Sequence, residues 1–257
     1  GRSETDDFRH WPLPEMVLAP DSESSPINDY YTNPYSQYPG SGFHLMFPSV
    51  YSRDRDTMDI YLVVSRDGFN WTWPERIPVI PRGREGSGES GCLYGAPGLI
   101  PLGEDHLGLL YLGADQRHNE PKNADVTGIK SHYSWAMWKR DRLVSLEAVG
   151  EGQVTLIQSG PGGGSKGRIF CGESMLLNYK TTRNGWIRVE LIDPFLYPSA
   201  PLEPLKGYSF DDCDPIRGDS MEEQVSWNGS TDLSKLKGRS LCIRIRLTGA
   251  EIFAVSV

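Results

Sequence analysis

The chain has few cysteines, few histidines and no long apolar run, and each shortage removes a class of function. Its four cysteines, Cys92, Cys171, Cys213 and Cys242, stand far apart. With no Cys-x-x-Cys pair and no histidine at a zinc spacing, a zinc module and a dithiol redox site are both excluded. The cysteines read as buried thiols, with a Cys213–Cys242 disulfide as the alternative. No stretch reaches the roughly 20 apolar residues that span a bilayer, so no membrane partner is expected, and Gly1-Arg2-Ser3 carries no signal pattern. Excess positive charge is also lacking: the net charge is −8, spread along the chain, which argues against nucleic acid. Ser159-Gly160-Pro161-Gly162-Gly163-Gly164-Ser165-Lys166-Gly167-Arg168 lacks the Gly-Lys-Ser/Thr ending of a phosphate loop and reads as a connection between domains.

What is present is turn and strand chemistry. Glycine at 28, proline at 19 and aromatics at 11% predict an all-β chain of short strands. A repeat supports this. Ser3 to Leu18 and Ser65 to Ile80 both pass through an Asp-rich turn to a Trp-Pro-Glu-like segment, and Trp11 and Trp71 lie 60 residues apart. A degenerate third copy is read over Lys139 to Leu146. Each of the first two copies predicts a hairpin whose tryptophan plugs the gap between neighbouring sheets, and in the third a leucine takes the tryptophan's place. With strands expected over 43–47, 58–64, 107–112 and 133–138, residues 1–165 read as β-propeller blades. Two complete blades and one partial one cannot close a ring, so the missing blades are expected from an N-terminal segment or another chain. Residues 166–257 read as a β-sandwich, with Asn184-Gly185 as a hairpin turn and period-two alternation in 241–247 and 251–255. Trp186 and Trp227 are expected to be at least partly buried there.

The Ser-x-Asp-Gly-Phe-x-Trp turn of residues 65 to 71, Asp212-Cys213-Asp214-Pro215-Ile216, Val225-Ser226-Trp227 and Ala250-Glu251-Ile252-Phe253-Ala254 resemble the glycosyl hydrolase family 32-like proteins. The resemblance implies a five-bladed propeller of the family 32, 43 and 68 type followed by a β-sandwich. It also implies glycosidase chemistry on an oligo- or polysaccharide, by carboxylates in the propeller funnel. No cofactor is implied, although a central cation such as calcium fits such a funnel. The Trp-Met-Asn-Asp-Pro-Asn-Gly signature of the fructosidases is absent. A secreted or periplasmic setting is slightly favoured.

Glycoside hydrolysis needs two carboxyl groups across the scissile bond. Asp29, at the opening of the first complete blade, and Glu89, in Gly86-Ser87-Gly88-Glu89-Ser90-Gly91, are the catalytic candidates, with Glu85 competing. Glu89, beside Cys92 and Leu93, suits a general acid, and Asp29, between Asn28 and Tyr30, a base or tuning residue. Substrate-binding candidates are His118 and Asp115 in one loop, and Tyr30 and Trp73 as stacking surfaces with Tyr31, Tyr35 and Tyr38. Arg217-Gly218-Asp219 spells an integrin-type tripeptide and reads as a chance turn. The runner-up to hydrolysis is a non-catalytic carbohydrate-binding module.

Overall fold

The structure is a computed structural model that describes residues 1–120, 130–159, 165–166, 168–193 and 203–257. It is all-β, 49% strand and 1% helix, in several sheets with no closed barrel among the described residues. The chain divides into two compact units, Gly1–Lys139 and Arg140–Val257.

In the first unit, proline punctuates the strands. Residues 28–37 carry β1 (Asn28–Tyr30) and β2 (Tyr35–Gln37), and residues 43–52 carry β3 (His44–Met46) and β4 (Ser49–Ser52). Residues 57–65 carry β5 (Thr57–Ile60) and β6 (Val63–Ser65), and β7 (Trp71–Thr72) follows. Pro34 and Pro48 have no N–H to give the ladder, and the strands break beside them. Tyr31 N–H to Ser49 O (2.9 Å), Phe47 N–H to Pro34 O (2.9 Å) and Tyr61 N–H to Pro48 O (2.9 Å) carry the pairing across the breaks. The segments 28–37, 43–52, 57–65 and 71–72 thus run as one bent antiparallel meander.

A second meander, β8 (Cys92–Leu102), β9 (His106–Ala114) and β10 (Ser131–Lys139), joins the first through the parallel pair Met58–Cys92. The resulting sheet has the order β1-β4-β5-β8-β9-β10. Phe47, Met58, Ile60, Val63, Leu93 and Leu109 are fully buried in this unit.

The tryptophan turn repeats atom for atom. Asp67 Oδ1 accepts the N–H groups of Phe69 and Asn70 (both 2.8 Å) and the Ser65 hydroxyl (3.0 Å), while Oδ2 accepts the Asn70 amide (2.7 Å). Asp7 Oδ1 likewise accepts Arg9 N–H (2.8 Å), His10 N–H (2.9 Å) and the Thr5 hydroxyl (3.0 Å), and its Oδ2 lies 2.6 Å from His10 Nδ1. Both are Asx turns, in which a carboxylate replaces absent backbone acceptors. The left-handed position is Gly68 (φ 74°) in one and Phe8 (φ 56°) in the other. Thr5, not Ser3, is therefore the counterpart of Ser65. Trp71 is half-buried, whereas Trp11 is 55% exposed.

The second unit is organised by two 17-residue strands, β15 (Leu176–Ile192) and β17 (Ser240–Ser256). They pair from Leu176–Ser256 to Ile192–Cys242. Flanking them are β11 (Leu146–Leu156), β16 (Asp219–Gln224) and β14 (Arg168–Ile169). A separate pair, β12 (Gln158–Ser159) and β13 (Ser165–Lys166), stands beside this sheet.

Three expectations change here. The division falls between Lys139 and Arg140 rather than near residue 165, because β11 pairs with β17. The glycine-rich run 159–168 therefore lies inside the second unit; its residues 160–164 and 167 are outside the described ones. Asn184-Gly185 is not a hairpin turn, since the residues before and after it pair with the same strand. It forms an irregularity opposite Gly249 (φ 50°), where a Cβ on Gly185 would fall on the Gly249 carbonyl oxygen.

One core holds this unit, including Met175, Leu177, Ile187, Val189, Leu191, Val225, Trp227 and Ile243. It is closed by the segment 203–239 through isolated bridges such as Ile187–Ile216 and Ile192–Pro204. Trp227 is 3% exposed and donates Nε1–H to Val189 O (2.9 Å); Trp186 is half-buried. All four cysteines are free thiols, so no Cys213–Cys242 disulfide forms, and Cys171 is exposed while the other three are buried. Burial pushes the Cys213 thiol up to about 11.

Candidate functional site

Strand alternation decides which candidates share a face. Asp29 stands opposite Tyr51, Tyr51 opposite Met58, and Met58 opposite Cys92. Side chains two residues apart share a face, so Tyr31 and Tyr94 join Asp29, Tyr51 and Cys92. His118, in the loop after β9, sits on this same face. Its ring lies 4.7 Å from Tyr31 (edge-on) and 5.1 Å from Tyr51, and its Nδ1 is 3.3 Å from the Tyr94 hydroxyl.

The loop is anchored by Asp56, in the β4–β5 turn. Its backbone O accepts His118 N–H (3.0 Å), and its carboxylate accepts Tyr51 Oη–H (2.7 Å), Asn119 N–H (2.9 Å) and Asn119 Nδ2–H (2.8 Å). Burial opposes ionisation of Asp56, but these donors outweigh it and hold the carboxyl below its usual value. Burial and the neighbouring Cys92 push the Tyr94 phenol far up, so it stays protonated. Asp56, Tyr51, Tyr94 and Asn119 are the residues that sequence reasoning missed.

Asp29 reaches this face already spent. Arg53 Nε and Nη2 donate to its two oxygens at 2.6 and 2.5 Å, and this hydrogen-bonded pair lowers its carboxyl. The group that keeps Asp29 ionised is thus Arg53 rather than Asn28 or Tyr30.

Glu89 lies on the opposite face. It fills a niche beside Gly113, where an added Cβ would come within 2.6 Å of its own Cβ. Tyr111 Oη donates to its Oε2 (2.8 Å), and His132 Nε2 is 3.6 Å away. Tyr111 and Gly113 share a face of β9, and Gly113 pairs with His132, whereas Tyr94 pairs with Leu112 on the other face. Desolvation, then Glu89, push the Tyr111 phenol up, so it remains the donor. Among the described residues no hydrogen bond, ion pair or shared partner links Asp29 to Glu89.

The remaining candidates are structural in their contacts. Asp115 Oδ1 accepts Gly88 N–H (2.9 Å), Ser90 N–H (3.1 Å) and the Ser90 hydroxyl (2.7 Å), tying the Glu89 loop to the His118 loop. Gly91 completes that tie, because a Cβ there would fall on the Asp115 and Gln116 carbonyl oxygens. Tyr30 and Trp73 pack on each other (5.4 Å), with Arg76 over the indole. Tyr35 bonds His44 Nδ1 (2.7 Å) on the other sheet, and Glu85 is exposed in a turn. Among the described residues no group of three or more His, Cys, Asp or Glu is placed to hold a metal.

The His118 face continues across β8 to β10. Tyr94, Leu112 and Tyr133 stand in one cross-strand row, with Leu110 and Trp135 in the next. Tyr31 is 51% exposed, Tyr133 73% and Trp135 45%. In comparisons with known proteins, no family model, no curated protein and no solved structure matches the chain.

Proposed function

We propose that this chain is a carbohydrate-binding, glycosyl hydrolase family 32-like protein, its first unit built as propeller blades and its second as a β-sandwich. Two meanders with a duplicated Trp turn support the blades, and a single sheet covered by 203–239 supports the sandwich. The observation that carries the function is the aromatic face around His118. Exposed rings there offer flat apolar surface to a sugar, and Asn119 and His118 offer hydrogen-bonding groups at its margin.

Binding is favoured over hydrolysis because the carboxylates are committed elsewhere. Asp29 is clamped by Arg53, Asp56 is saturated by Tyr51 and Asn119, and Glu89 is on the other face. Hydrolysis needs two carboxyl groups within roughly 5 to 9.5 Å across one bond. Calorimetric titration with neutral oligosaccharides tests the proposal: binding is expected, and His118→Ala should weaken it by about tenfold. No binding by any neutral oligosaccharide would overturn it.

The glycine-walled niche of Glu89, with Tyr111 and His132 beside it, favours glycosidase activity as the second reading. In that case Glu89→Gln should spare aryl glycosides with good leaving groups more than natural linkages.

A further inference from the structure

The second unit holds a cleft of about 210 Å³ lined by Arg188, Arg217, Arg246, Trp186, Phe210 and Asp211 among others. Arg188 on β15 stands directly opposite Arg246 on β17. Like charges in that position repel, so folding alone disfavours the pair. The next facing pair, Glu190 and Arg244, obeys the usual rule, with an ion pair of 2.7 Å.

Among the described residues the ion-pair contacts of Arg188 and Arg246 are long, 4.0 Å to Asp211 and 3.8 Å to Glu151. Arg188 Nη1 donates to Phe210 O (2.9 Å), and its nearest carboxylate contact, 4.0 Å, is to Asp211, whose side chain is fully in solvent. Asp214, also near Arg188, is engaged by the Ser226 hydroxyl (2.6 Å) and Gly229 N–H (2.8 Å). Arg246 lies 4.5 Å above the Phe210 ring, with Glu151 at 3.8 Å. Arg217 donates to the backbone oxygens of Gly185 (2.9 Å) and Asn184 (3.5 Å). Three guanidinium groups are thereby held in place by a ring and by carbonyls, beside the half-buried Trp186.

We propose that this cleft binds the carboxylate or sulfate group of an acidic sugar residue, the guanidinium groups taking the oxyanion and Trp186 lying against the ring. Planar forks suit carboxylate and sulfate oxygens, and an anion between Arg188 and Arg246 relieves their repulsion. The volume is below the ~300 Å³ at which drug-sized pockets begin, so one residue of a chain fits. The oxyanion site stands on these residues alone; its saccharide carrier rests on the carbohydrate-binding reading.

The test is calorimetric titration of the full chain at low salt with inorganic sulfate, an oligogalacturonate, a sulfated oligosaccharide and a neutral oligosaccharide. At least one acidic saccharide should bind more tightly than sulfate, with affinity falling as salt rises. Arg246→Gln should weaken that binding about tenfold while leaving neutral-sugar binding intact. Its thermal midpoint should be kept, since one of two facing like charges is gone. Arg246→Lys, which keeps charge but loses the fork, should fall between. If Arg246→Gln fails to fold, Arg217→Gln at the exposed rim gives the same reading.

No binding by either acidic saccharide, or binding that the arginine variants do not change, overturns the proposal. Sulfate binding with no gain from a sugar overturns the acidic-sugar assignment. Failure of the neutral oligosaccharide alone counts against the His118 face and leaves this cleft standing.

Discussion

No strand before β8 in the first unit exceeds four residues, whereas β15 and β17 in the second run for seventeen each. In the first unit backbone bonds bridge the breaks beside Pro34 and Pro48, while carboxylates cap its turns and loops, as Asp7, Asp67 and Asp115 do. The long ladder of the second unit satisfies itself, and its stability rests on buried apolar volume around Trp227. Short strands with carboxylate-capped turns thus mark the first unit, and a long continuous ladder over one core marks the second. The difference extends to chemistry: broken strands and loops gather His118, Asp56 and three tyrosines in the first unit, while in the second the strand register itself sets Arg188 against Arg246.

The largest effect should come from Trp227→Ala, which empties a fully packed site and orphans the Val189 carbonyl, at a cost of about 3 to 5 kcal/mol in thermal or denaturant unfolding. Trp71→Ala, at a half-buried indole, should cost clearly less, and Trp11→Ala, at an exposed one, least of all. Equal losses at Trp71 and Trp227 would break the comparison.

Next come the glycines where two backbones meet. Gly185→Ala and Gly91→Ala each press a methyl group onto carbonyl oxygens and should destabilise by about 1 to 3 kcal/mol. Only Gly91→Ala should also weaken neutral-sugar binding, because it shifts the loop that carries His118.

Acid should act on both units. Asp56 and Asp115 have folded values below the 3.8 of the free carboxyl, so each stabilises the fold above that pH. That contribution fades as pH falls through the lowered folded values. Asp212, Asp214 and Asp232 of the second unit are lowered in the same way by their hydrogen bonds, so melting curves at pH 5 and pH 3 should show both units losing stability, and raising pH from 5 to 8 should change nothing through these groups. The smallest effect is in thiol labelling: in the folded protein one thiol of four, Cys171, should react promptly.

The strands over 43–47, 58–64, 107–112 and 133–138 and the turns before Trp11 and Trp71 were legible because alternation, Ser-x-Asp-Gly and Trp are local signals, whereas β1, β2, β4 and β8 carry no such mark. The continuity of β15 was not: Asn184-Gly185 carries the residues of a hairpin turn, and only the pairing of both flanks with β17 shows that the chain does not reverse. His118 and Tyr31 were found from residue type. Their companions Tyr51, Asp56 and Tyr94 meet them through register across β1, β4, β5 and β8, which no local pattern encodes. Arg53, 24 residues beyond Asp29, removes that carboxylate from contention for the same reason.

The central claim, binding at the His118 face without hydrolysis by Asp29 and Glu89, is tested most directly by one paired titration. Tyr31→Ala and Glu89→Gln are compared with the parent chain for affinity to a neutral oligosaccharide, with released reducing ends counted in the same samples. Tyr31→Ala should weaken binding about tenfold, Glu89→Gln should bind as the parent does, and no sample should release sugar. Turnover by the parent that disappears in Glu89→Gln, with Tyr31→Ala binding unchanged, would contradict it.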